Sequence, residues 1–112
     1  MAEPRRIPFP ELPAWRQNVR LEGKSYALRA RYNTRNERWT LIVETKNGSL
    51  ITTSLLTLYT DVLRGVTHEE RPPGSLVVVS LSSTPRDPRR YDFEQGMASL
   101  IYVPSDYEPE DS

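Results

Sequence analysis

The chain contains no cysteine and a single histidine. Without thiols it can build neither a disulfide nor a thiolate metal site, and one imidazole among scattered carboxylates has no metal-ligand spacing. Glycine is sparse, five residues in 112, and no glycine run has the form of a phosphate-cradling loop or a dinucleotide fingerprint. Long apolar stretches are missing too: nothing approaches the roughly 18 consecutive apolar residues of a membrane-spanning helix. The opening Met1 to Phe9 has two arginines but no apolar run of signal-peptide length. These absences lead to the expectation of a soluble protein made in a cytoplasm, with no cofactor, no metal and no membrane partner.

What is present points to one small β domain. A chain of 112 residues has room for one modest core. The formal charge is zero, yet residues 1–40 hold nine Arg or Lys against four acids, leaving six against eleven in residues 41–112. Such polarity can steer a chain toward a charged partner or a second copy, although halves interleaved in one sheet would neutralise each other. Ten prolines crowd the ends and loops. In Ile7-Pro8-Phe9-Pro10-Glu11-Leu12-Pro13 they remove backbone donors and hold φ near the extended value, which excludes a helix or an inner strand. Residues 1–15 therefore read as an extended arm whose bulky Ile7, Phe9, Leu12 and Trp15 must lie on its own domain or on a neighbour. The arm is expected to be dispensable for the fold and needed for assembly.

Between the ends the pattern has period two. Val19 and Leu21 share one side of the segment from Arg16 to Glu22. Tyr26, Leu28, Ala30 and Tyr32 share a face opposite Arg29 and Arg31, and Trp39, Leu41 and Val43 alternate with Thr40, Ile42 and Glu44. Asn47-Gly48 suits a type I′ hairpin turn with positive φ at both positions, so these segments and the one from Leu50 should form a meander. Leu50 to Tyr59 reads equally as one bent strand or two short ones. Asp61 to Gly65 is too short for a helical turn to stand without tertiary support. Leu76-Val77-Val78-Val79-Ser80-Leu81, dense in β-branched residues, reads as a central strand buried on both faces. Tyr91 to Glu94 is a candidate for brief pairing, and Met97 to Val103 is the last strand. Residues 16–103 thus form one all-β domain, a small antiparallel barrel or sandwich of six to seven strands. Its expected core is Tyr26, Leu28, Tyr32, Trp39, Leu41, Val43, Leu76, Val78 and Leu100. Residues 104–112, acidic and without aliphatics, are expected to be a disordered tail.

Chemistry is hard to find. His68 lies in a loop beside Glu69 and Glu70, and a hydrolase needs a nucleophile, a base and an orienting group together. Adjacent carboxylates in extended chain point to opposite sides and cannot bracket a substrate. No catalytic residue is therefore assigned, and a hydrolase is retained only as a second alternative. The better functional signal is the arginine row Arg29, Arg31, Arg35 and Arg38, interleaved with Tyr26, Tyr32 and Trp39. Basic residues among aromatics can hold single-stranded nucleic acid, the first alternative. Tyr26 and Tyr32 should face the core, however, which leaves the basic face without a stacking platform and favours a protein partner. The candidate partner-binding residues are accordingly Ile7, Phe9, Leu12, Trp15, Arg29, Arg31, Arg35 and Arg38.

The order of segments is also familiar. Arg6-Ile7-Pro8-Phe9-Pro10, Tyr26-Ala27-Leu28-Arg29-Ala30-Arg31-Tyr32-Asn33-Thr34-Arg35 and Arg38-Trp39 resemble the cyanophage-type baseplate plug proteins of contractile-tailed phages (myophages). Asn47-Gly48, Asp61-Val62-Leu63-Arg64, Gly74-Ser75-Leu76-Val77-Val78-Val79, Asp87-Pro88 and Leu100-Ile101-Tyr102-Val103 follow in the matching order. The resemblance implies a virion structural protein, not an enzyme, assembled in the host cytoplasm into the tail baseplate. Its implied partners are the other baseplate proteins (hub, spike and tube) and further copies of itself. It supplies no catalytic residue.

Overall fold

The computed structural model describes residues 3–83, 85–105 and 107. Among these residues seven strands run in chain order: β1 (Arg5–Ile7), β2 (Ala14–Leu21), β3 (Lys24–Asn33), β4 (Arg38–Thr45), β5 (Leu50–Leu55), β6 (Ser75–Ser80) and β7 (Ala98–Val103). They make two sheets, a four-stranded meander β2-β3-β4-β5 and a three-stranded sheet β1-β7-β6, antiparallel at every strand pair. The molecule is an open sandwich: neither sheet closes into a barrel.

Alternation decides the layers. In β4 every second residue, Trp39, Leu41, Val43 and Thr45, is buried while Arg38, Thr40, Ile42 and Glu44 are half-exposed. The matching inward residues of β3, Tyr26, Leu28 and Ala30, join Leu76, Val78, Leu100 and Tyr102 of the smaller sheet in one core cluster. Burying each large side chain stabilises the fold by about 1.5–3 kcal/mol. Eight of the nine expected core residues are buried; Tyr32 is half-buried at the rim, its ring 5.3 Å from that of Trp39.

Several expectations are corrected. The β6 segment is not a central strand: β7 lies between β1 and β6, and Val77 and Val79 are only half-buried. Its β-branched density serves one buried face. The outer edge is partly covered by chain arriving from the meander, where Leu58 bridges Val78 in parallel and Val62 N–H donates to the Leu76 carbonyl at 2.8 Å. The type I′ geometry is not at Asn47-Gly48. There only Gly48 has positive φ, +90°, with Gly48 N–H bonded to the Thr45 carbonyl, so a three-residue loop closes the hairpin. Both central residues are left-handed instead at Glu22-Gly23, φ +50° and +86°, the two-residue link between β2 and β3.

The arm is the third. Arg5–Ile7 forms β1 at the edge of the smaller sheet, and β2 begins at Ala14, inside the stretch read as arm. Ile7 and Trp15 are buried in this chain's own core, 1 % and 7 % exposed. Phe9 stacks on Phe93 at 3.7 Å and meets Trp15 and Trp39 edge-on at 4.9 and 4.8 Å. Arg5 Nη1 also donates to the Arg20 carbonyl and Gln17 Nε2 to the Pro8 carbonyl, tying the arm to β2. A segment so placed contributes to folding.

Elsewhere, Leu50 to Tyr59 resolves into β5 followed by a crossover to the second sheet. Residues 61–66 form successive turns without a helix, and 90–96 are turns in place of a paired strand. Of the expected acidic tail, residues 106 and 108–112 lie outside the described residues.

Candidate partner-binding surface

The outward face of the meander is set by register. Arg16 on β2 stands opposite Arg29 on β3, which stands opposite Ile42 on β4 and, through it, Thr53 on β5. The next row runs Ala14, Arg31, Thr40, Leu55, and on the other side Asn18, Ala27, Glu44, Leu50. The face therefore carries a cluster of three arginines, with exposed leucines along the β5 border, Leu50 at 56 % and Leu55 at 45 %.

Of these arginines only Arg29 has a carboxylate partner among the described residues. Its Nε lies 3.1 Å from Glu44 Oε1 and its Nη2 3.2 Å from Oε2, a bidentate pair. Arg16 and Arg31 form no ion pair with a described residue. Like charges directly opposite on neighbouring strands repel, as Arg16 and Arg29 do. An external carboxylate would relieve that repulsion.

The predicted arginine row is thus divided. Arg29 and Arg31 share the open face; Arg35 sits in the exposed turn after β3, where its N–H donates to Asn33 Oδ1. Arg38 is turned to internal work: Nη2 donates to Thr57 Oγ1 at 2.8 Å and to the Leu56 carbonyl at 3.3 Å, with Asp87 Oδ2 at 3.6 Å. It fastens the crossover to β4. Among the four apolar arm candidates only Leu12 is open, 53 % exposed.

Arg16, Leu50 and Leu55 belong to this surface and were not singled out from sequence. Arg16 was legible from the alternation of its own strand. The leucines were not, because the β-bulge at Val43/Glu44 shifts the register that decides which side of β5 they take.

The same face bears on the rival readings. None of its described strand residues is aromatic, and Tyr26 is buried on the opposite side, so bases would find no stacking platform. His68 Nδ1 accepts from the Glu70 N–H at 3.0 Å, a local turn contact. No group of three or more potential metal ligands exists among the described residues.

Residues 5–106 match the family model described as cyanophage baseplate Pam3 plug gp18. The chain belongs to this baseplate plug family. The match spans both sheets, so the sandwich and the outward arginine face both lie within the family's extent. Membership assigns the plug-family chain a structural role in the phage baseplate, as the order of its segments implied. No curated protein matches it.

Proposed function

We propose that this plug-family chain is a structural component of a contractile phage tail, seated near the hub and central spike and acting in virion assembly through protein contacts. The family match over residues 5–106 carries this reading. The surface supports it chemically: arginine is enriched at interfaces because its planar fork pairs carboxylates bidentately, and leucines beside it can be desolvated by a partner. Arg16, Arg31 and the remaining proton sites of Arg29 form the polar half of the contact; Leu50 and Leu55 form the apolar half, and Leu12 and Arg35 are its outlying members. The partners are other baseplate proteins (hub, spike and tube) and further copies of the chain.

The test is localisation with a matched variant. Purified tails should contain the chain at the baseplate, and Arg16→Glu/Arg31→Glu should fold normally yet be depleted from particles assembled in infected cells. Absence of the unaltered chain from purified tails would remove the proposal; normal incorporation of the double variant would remove the arginine face from it.

A further inference from the structure

A second site lies at one end of the meander, where the β2–β3 and β4–β5 turns stand side by side. Between them is an open cavity of about 240 Å³ lined by Arg20, Gly23, Lys24, Ser25, Tyr26, Thr45, Lys46, Asn47 and Glu70. Three cations and one carboxylate surround it, and none of the three cations forms an ion pair with a described residue. This excess of positive charge comes from separate elements: β2, the start of β3 and the loop after β4.

Tyr26 supplies an independent observation. It lines this cavity, it is 2 % exposed, and its buried hydroxyl has no hydrogen-bond partner among the described residues. A buried hydroxyl without a partner is costly, and native structures keep few of them. The neighbouring Tyr102 hydroxyl, by contrast, both donates and accepts. Tyr26 thus brings an unpartnered donor beside a cationic cavity, and a carboxylate that reached it would accept from it while neutralising Lys24 and Lys46.

We infer that this cavity receives an acidic side chain from an extended segment of a partner protein, with Tyr26 donating to the carboxylate and Arg20, Lys24 and Lys46 surrounding it. The inference rests on the baseplate reading and supplies the chemistry of one partner. The cavity is small enough for one or two side chains and too open to enclose a whole ligand. Glu70 is the one carboxylate in the lining, and an incoming acid must approach the cations beside it.

Binding of hexaglutamate to the intact chain, followed by calorimetry and by amide shifts at low salt, tests this directly. Hexaglutamate should shift Lys24, Ser25, Thr45 and Lys46, and Arg20→Gln/Lys24→Gln/Lys46→Gln should weaken binding about tenfold or more. Tyr26→Phe should weaken it while raising the melting temperature of the ligand-free protein, a pair of effects that a purely structural tyrosine would not produce. Absence of binding, or binding indifferent to the triple variant or to Tyr26→Phe, overturns the inference. Inorganic phosphate binding as tightly as the peptide would give the site to a free anion, and tighter peptide binding after truncation beyond Ser105 would give it to this chain's own acidic end; either overturns the assignment to a partner. Absence of the chain from purified tails would refute the baseplate reading and leave the peptide result standing. A failed titration with normal incorporation would refute only the cavity.

Discussion

The Tyr102 hydroxyl donates to Glu22 Oε2 at 2.5 Å across 80 positions of sequence, joining the β2–β3 turn to the central strand of the opposite sheet. The same hydroxyl accepts the Gly74 N–H at 2.8 Å, and Glu22 also accepts from Ser105 Oγ and N–H. Tyr102→Phe leaves the buried Gly74 N–H unsatisfied and should cost about 1–3 kcal/mol, read by urea unfolding.

Acid should loosen this junction. Burial works to raise the Glu22 carboxyl, but donors from Tyr102 and Ser105 outweigh it and hold Glu22 below its ordinary 4.5. A carboxylate with a lowered folded-state value adds stability that is complete above the unfolded value and fades as pH falls through the folded one. Stability should therefore be insensitive to Glu22 near neutrality and decline below about pH 4.5. Glu22→Gln should flatten that decline, modestly because the carboxylate is solvent-screened. Superimposable pH profiles for the two proteins would refute this.

Gly74 is fixed by contact rather than by φ. A Cβ there would lie 2.1 Å from the Val103 carbonyl oxygen and 2.7 Å from Tyr102 Oη. Backbone cannot yield as a flexible side chain does, so Gly74→Ala should destabilise by about 3 kcal/mol, the upper end for overpacking. A melting temperature within a degree or so of the parent would contradict it.

Trp15→Ala should lower stability by about 3–5 kcal/mol through the cavity it leaves against Phe9. The sequence alone suggested a neutral effect on folding. Equal denaturation midpoints for mutant and parent would restore the arm as a pure assembly element.

Arg71 organises the long loop before β6: its guanidinium donates to the carbonyls of Leu63, Val66, Pro72 and Gly74. Arg71→Lys keeps the charge but cannot reproduce the fork, and should cost about 1.5–3 kcal/mol with raised amide exchange across 63–74. Unchanged exchange there would argue that the loop stands without it.

Period-two alternation was enough to fix the strands of the meander, the inward set Tyr26, Leu28, Trp39, Leu41 and Val43, and the outward direction of Arg29 and Arg31, because facing depends only on nearest neighbours along a strand. Segment order was enough for the family. Strand order was not: β6 lies at an edge because β1 and β7 close the smaller sheet from opposite ends of the chain, and no local pattern encodes that pairing. The same limit hid the burial of Ile7 and Trp15, the capture of Arg38 by the crossover, and the approach of Lys46 to Tyr26. Each needs two segments distant in sequence to meet, and long-range packing alone brings them together.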